Sequence, residues 1–263
     1  MKIGLVLGGG GAKGLAHIGV LKVLDREGIK VDLLAGTSAG SMVAAAWSLG
    51  ITVTELELQA AWLAKPANWH EIVSLGNITK SMIGNTDLLA YLNRLFKSST
   101  FAHLKIPLKV VATDLGSGQE VLLDSGSLAE ATMASSSIPG IFPPMFLNGH
   151  YLVDGGVSNQ TPVSVIESMG ADMIIAVDLM RDVDKVVENP SLIDTIMHSY
   201  EIMRRQSVRY SLEKANSEYI LIEPKFTDIV DTFKFTEFEK FIKAGELAAE
   251  KAMPQIKAKL ANI

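Results

Sequence analysis

Residues 31–47, VDLLAGTSAGSMVAAAW, join an apolar, strand-like run to a run of small and apolar residues through Gly36-Thr37-Ser38-Ala39-Gly40. A buried strand that turns at once into a helix is the repeating unit of a parallel α/β sheet. The pentapeptide also fits the nucleophile elbow, in which that sharp turn presents a serine hydroxyl at the sheet's edge. Ser38 must then occupy a strained turn, and a Cβ at Gly36 or Gly40 would collide with the adjoining strand and helix. The competing reading is an ordinary glycine turn in which Ser38 or Thr37 caps the helix. The charge-free stretch 33–54 is long enough to raise a membrane span, but Gly36, Thr37, Ser38, Gly40, Ser41 and Ser48 dilute it, so strand and helix are expected.

On the N-terminal side, residues 2–7 (KIGLVL) form a short apolar run that ends in four glycines, and LAHIGVLKVLDREG follows with helical spacing at Leu15, Ile18, Leu21, Val23 and Leu24. Lys2 ahead of an apolar run has the start of a signal peptide, but the glycines from Gly8 and then Lys13 interrupt it, and a buried first strand is expected instead. The helix should stop near Gly28, and a second strand should rise over 29–35 and break at Gly36. On the C-terminal side, 55–96 is helical but irregular, broken by Pro66, Gly76 and Gly84, and is a candidate lid. Strands follow at 108–113 and 120–123, then a helix over SLAEATMASSS and a loop at 139–144. A strand ends at Asp154, Pro162 opens a helix, and MIIAVDL is the continuous apolar run of a parallel-sheet strand. A long helix over 191–216, a strand at 219–222 and a charged helix from about Glu237 complete the pattern. Alternating strands and helices give an α/β fold.

A chain of 263 residues can bury a full core in one domain, and one domain over 1–263 is expected. Its motif-bearing part is about 3–160, with 185–263 packing on the same unit. A net charge of −5 offers no concentrated basic surface for phosphate, which excludes nucleic acid as a partner. The absence of cysteine excludes disulfides, thiolate catalysis and cysteine metal sites. It permits a reducing compartment, and the cytoplasm is expected.

Gly9-x-Gly11-x-x-Gly14 follows a strand and opens a helix, so its unpaired N–H groups can bind an anion. In a dinucleotide fold they would hold a pyrophosphate, with Asp32 or Asp25 offered to the ribose. In a serine hydrolase the Gly9, Gly10 and Gly11 amides would stabilise the tetrahedral oxyanion, at roughly 3 kcal/mol per donor. A nucleotide site has no need of a GxSxG at its second strand. A Walker loop also fails, because Lys13 is followed by glycine. Lys13 is read as structural, holding the loop through its carbonyls.

A serine nucleophile needs a base, and the histidines are poorly placed. His198 lies in a helical stretch, His150 is about 13 Å along the strand from Asp154, and His17 suits packing or hydrogen bonding on the first helix. Asp154-Gly155-Gly156 remains: an acid at a strand end followed by two glycines that admit other backbone closely. Its reference pKa of roughly 4 makes it a weak base unless a dry site and a short bond to Ser38 raise its proton affinity.

Together these motifs resemble the patatin-like phospholipase family, bacterial branch, in the family's order and over almost the whole chain. GGGGAKG is similar to its oxyanion loop, LAHIGVLKVL to the helix after it, GTSAGS to its elbow, and DGG to its catalytic aspartate turn. VATDLGSGQ and ASSSIPGIFPP are similar to further family segments that carry no functional reading of their own. The resemblance implies a three-layer α/β/α sandwich with a central, mostly parallel sheet. It also implies a Ser38–Asp154 dyad, an acyl-enzyme that water cleaves, lipid acyl esters as substrates, and no metal or organic cofactor. Gly8 stands where many members carry aspartate and Lys13 where many carry arginine, and neither change removes an N–H donor.

Independent support for lipid is found in Trp62, Trp69, Ile72, Met82 and Ile83, and in Ile138, Ile141, Phe142, Met145 and Phe146 around the prolines. These would line an acyl pocket or touch a bilayer at the inner membrane face, or else pack core and lid. The alternatives to the hydrolase are a non-catalytic lipid-binding or regulatory module on the same fold and a nucleotide-binding protein. Oligomeric state is left open.

Overall fold

The computed structural model describes residues 1–72, 81, 84–180, 189–226 and 235–261. Eight strands are described: β1 Ile3–Leu7, β2 Leu33–Thr37, β3 Leu108–Asp114, β4 Glu120–Leu123, β5 Met145–Leu147, β6 His150–Asp154, β7 Met173–Val177 and β8 Tyr219–Ile222. The helices are α1 Ala16–Arg26, α2 Ala39–Ser48, α3 Val53–Leu63, α4 Thr86–Leu95, α5 Leu128–Ser135, α6 Val163–Ser168, α7 Leu192–Glu213 and α8 Phe238–Ala261. Strand β2 begins later than its apolar run suggests and continues through Gly36 to Thr37. Asp32, just before it, is occupied at the start of the sheet, where its carboxylate accepts the Ile3 N–H at 2.8 Å. Strand β5, three residues long and directly after the prolines, has too short a pattern to be read from sequence.

The strands form one mixed sheet in the order β5-β6-β3-β2-β1-β7-β8, with β4 also on β3. The central pairs β3–β2, β2–β1, β1–β7 and β7–β8 are parallel. Alternation along each strand divides the core between the two faces of the sheet. Leu5 and Leu7 of β1, Leu34 of β2 and Ile175 of β7 pack in the larger cluster with α1 and α8. Val6, Ala35 and Ile174 pack in a second cluster with α6. This is a three-layer α/β/α sandwich. The stretch 33–54 is β2 and α2 rather than a span, and among the described residues no helix is long and apolar enough to cross a membrane.

One feature of the registers positions the site. Strand β4 pairs with residues 110–113 of β3, β2 with 108–111 and β6 with 112–114. At 110 and 111 both β2 and β4 pair, and at 112 and 113 both β4 and β6, so β2 and β6 must share the side of β3 that faces away from β4. They run in opposite senses there and meet end to end. The residue after β2, Ser38, and the last residue of β6, Asp154, are thereby brought together from 116 positions apart in the chain.

Candidate active site

Ser38 stands at the turn from β2 into α2 with φ 52° and ψ −127°, a conformation that costs a non-glycine residue of order 1–3 kcal/mol and must be held by its surroundings. The holding groups are identifiable. The Ser38 N–H donates to Ser135 Oγ (2.8 Å), and the Ser135 hydroxyl donates to the Val111 carbonyl (2.5 Å). Thr37 Oγ1 donates to the Asn159 carbonyl (2.8 Å), and Ser41 Oγ to the Ser38 carbonyl (2.6 Å). A Cβ on Gly40 would lie 2.0 Å from the Leu7 carbonyl oxygen, and one on Gly36 2.7 Å from Ser41 Cα, so strand and helix close on both glycines.

The Ser38 hydroxyl donates to Asp154 Oδ2 at 2.7 Å, and both residues are buried. Asp154 is fixed on every side. Its N–H donates to the Ser137 carbonyl (3.0 Å), its carbonyl accepts from Thr113 Oγ1 (3.0 Å), and Oδ1 accepts the Gly156 N–H (2.6 Å). Gly155 lies on the junction between the strands, where a Cβ would meet the Val111 carbonyl oxygen. Burial pushes the Asp154 carboxyl up from its ordinary value, against the nearby positive charge of Arg204 and the hydrogen bonds from Ser38 and Gly156. A carboxylate with raised proton affinity, bonded to a hydroxyl, is equipped to take that hydroxyl's proton.

In the glycine-rich loop the N–H groups divide by use. Gly8 donates to the Val177 carbonyl and Gly9 to the Gln160 carbonyl, each at 3.1 Å. The Gly9 amide is therefore committed, which corrects its expected place among the oxyanion donors. Among the described residues the Gly10 and Gly11 amides have no backbone partner. Gly11, at φ 56°, lines the same cavity as Ser38 and Gly14. His17, fully buried, donates from Nε2 to the Gly8 carbonyl at 2.7 Å and so holds the loop. Lys13 is buried, its ammonium 5.9 Å from the centre of the Phe226 ring.

The cavity beside Ser38 has a volume of about 170 Å³ and is walled almost wholly by apolar side chains of α1, α2, α3 and α4, with Ile138 and Phe142. Ile72 also lines it, Ile141 is buried, and Phe146 is exposed. Met82 and Ile83 lie outside the described residues, as does part of the expected lid at 55–96. His150 is exposed beside Asp114 and His198 is half-buried on α7. Of the two acids offered for a nucleotide ribose, Asp32 precedes β2, a strand's length from the glycine loop and at the wrong end of the sheet, and Asp25 stands in the last turn of α1, at the end of that helix away from the loop. Among the described residues no three His, Cys, Asp or Glu side chains gather as a metal site.

Four residues with no sequence reading take part. Ser135 and Ser137 brace Ser38 and Asp154, and three serines in a row at the end of an apolar helix were the available signal. Gln160 and Arg204 stand behind Asp154, and nothing local distinguishes either in the sequence.

Fold and site together define an α/β protein with an elbow serine bonded directly to a buried aspartate beside an apolar cavity. A family model, Patatin-like phospholipase, matches residues 5–166. The chain belongs to the patatin-like phospholipase family. The neuropathy target esterase sws of Drosophila melanogaster is 34% identical over 191 residues, which cover 71% of this chain and 13% of that protein. An uncharacterised NTE family protein of Mycobacterium tuberculosis is 26% identical over 275 residues, covering 95% of this chain and 46% of its own length. The chain thus spans less than half the length of each of these relatives. Among solved structures, VipD from Legionella pneumophila shares the fold, with a TM-score of 0.57 at 16% identity over 97% of this chain and 67% of that one.

Proposed function

We propose that this chain hydrolyses carboxylic esters of lipids, as a phospholipase A, lysophospholipase or esterase, through a Ser38–Asp154 dyad and an acyl-enzyme. The observation that carries this reading is the 2.7 Å bond from the Ser38 hydroxyl to Asp154 at the edge of an apolar cavity. Ser38 Oγ attacks the ester carbonyl carbon and passes its proton to Asp154 Oδ2. The Gly10 and Gly11 amides meet the oxygen that gains negative charge. Collapse breaks the bond to the alcohol, which leaves with the proton from Asp154, while the acyl chain stays in the cavity on Ser38. Water then attacks, gives its proton to Asp154, and the acid leaves as Ser38 is reprotonated. The cycle closes with no cofactor. The absence of cysteine suits a cytoplasmic enzyme that meets its lipid at the inner membrane face.

An alkyl fluorophosphonate should label the wild type and not Ser38→Ala, and the same substitution should abolish hydrolysis of p-nitrophenyl esters. A wild type that binds lipid but takes no label would leave a non-catalytic lipid-binding module as the better account.

A further inference from the structure

Behind the Ser38–Asp154 pair lies a buried cation with no part in the chemistry so far. Arg204 of α7 is only 7% exposed. Its Nε and Nη2 both donate to Gln160 Oε1, at 3.0 and 2.6 Å, and its guanidinium lies 5.1 Å from the centre of the Tyr200 ring. The second glycine of Asp154-Gly155-Gly156 makes this approach feasible. A Cβ built on Gly156 would lie 2.8 Å from Arg204 Nε, 2.8 Å from Asp154 Oδ1 and 2.2 Å from Gln160 Oε1. Since one point is 2.8 Å from both Nε and Oδ1, those atoms are at most twice that distance apart. A methyl group there would displace the guanidinium from the carboxylate. Gln160 also reaches the other half of the site: its carbonyl takes the Gly9 N–H, and its side-chain amide covers Gly9 so closely that a Cβ there would meet Nε2 at 2.8 Å.

We propose that Arg204, reaching across Gly156, is a positioning residue that keeps Asp154 ionised and aimed at Ser38, and that Gln160, clamped by Arg204, ties this pair to the glycine-rich loop. This rests on the hydrolase reading given above. An opposite charge this close in a dry site favours the ionised acid. Among the described residues the groups that face Asp154 are Ser38 and, from α7, Arg204 and Tyr200; burial first, and then the charge of Asp154, push the Tyr200 phenol up, against the charge of Arg204. Arg204 is therefore the one cation that offsets the burial of this acid among the described residues.

The test is the pH profile of kcat/KM for p-nitrophenyl butyrate, which carries no titrating group. Arg204→Gln should lose at least ~tenfold against wild type at pH 6 and return to within about threefold at pH 9, because the acid then takes up its proton at higher pH. Arg204→Lys, which keeps the charge without the fork, should retain most of the wild-type profile. Gly156→Ala should reproduce the Arg204→Gln profile with Arg204 still in the chain. The ¹³C titration of the Asp154 carboxyl should move upward in Arg204→Gln. An even loss at all pH values with an unmoved carboxyl titration would reduce Arg204 to a packing residue and overturn the proposal, as would an unchanged profile. The carboxyl titration needs no turnover. If wild type neither hydrolyses the ester nor takes the fluorophosphonate, the hydrolase reading fails while the titration still judges the coupling of Arg204 to Asp154.

Discussion

Burial removes the hydration of the Asp154 carboxylate, and Ser38, Gly156 and Arg204 return only part of it, so its proton affinity rises in the folded state. A raised folded value means that the native state binds this proton more readily than the unfolded chain does. The penalty is fully present above the folded value and relieved as pH falls through it towards the unfolded value, near ~3.9. Asp154→Asn keeps an oxygen for the Gly156 N–H and removes the charge. It should melt at a higher temperature than wild type at pH 7 to 8, by a margin that closes towards pH 4, while ester hydrolysis falls by about 10²–10⁴-fold. A variant that melts lower at pH 8 would show that the ionised carboxylate stabilises the fold, against the direction its burial gives. At this scale Ser38 and Asp154 were legible because sharp turns leave glycine signatures around them. The commitment of the Gly9 amide was not, since its acceptor is a carbonyl 151 residues away, and Arg204 sits in a helix whose sequence gives no reason to bury a cation.

Helices α1 and α8 approach each other at backbone distance, and small residues at the crossing permit it. A Cβ on Gly19 would lie 1.9 Å from the Ile242 carbonyl oxygen, and one on Gly245 1.9 Å from the Ala16 carbonyl oxygen. Neither obstacle is the movable end of a side chain, so a methyl group must push the helices apart. Gly245→Ala should therefore destabilise by about 1–3 kcal/mol, read as a lower urea midpoint at unchanged slope. An unmoved midpoint would mean that the crossing is looser than described. The elements themselves were largely legible. Buried parallel strands such as Met173–Val177 are unbroken apolar runs, and the charge and period of Phe238–Ala261 read as a surface helix. What sequence pattern cannot carry is pairing. The end-to-end meeting of β2 and β6 along β3 depends on contacts between segments far apart in the chain, and it is this meeting that makes two separate motifs one site.

Across the whole molecule, acid stability should be governed in part by a group outside the Ser38–Asp154 pair. His17 is fully buried, donates through Nε2 to the Gly8 carbonyl, and has an Nδ1 with no hydrogen-bond partner among the described residues. Protonation would place a second N–H, and a charge, where nothing receives them. Burial accordingly lowers its pKa from 6.5 to about 4, with the Gly8 bond working weakly in the other direction. Between those values the unfolded chain binds a proton that the native state refuses, so His17 contributes stability that is present above about pH 6.5 and lost as pH falls towards about 4. The loss across that window is about 3 kcal/mol. Asp154 and Asp178, both buried with raised proton affinity, act in the opposite direction as pH falls, so the total profile alone is ambiguous. A difference measurement isolates the imidazole. His17→Gln can still donate to the Gly8 carbonyl but cannot titrate. Relative to this variant, wild type should lose unfolding free energy steadily from pH 6.5 to 4.5, and the two should run parallel from pH 7 to 8. Parallel profiles over the whole range would mean that His17 accepts its proton in the native state as readily as in the unfolded chain, so that burial of its ring does not exclude the charge.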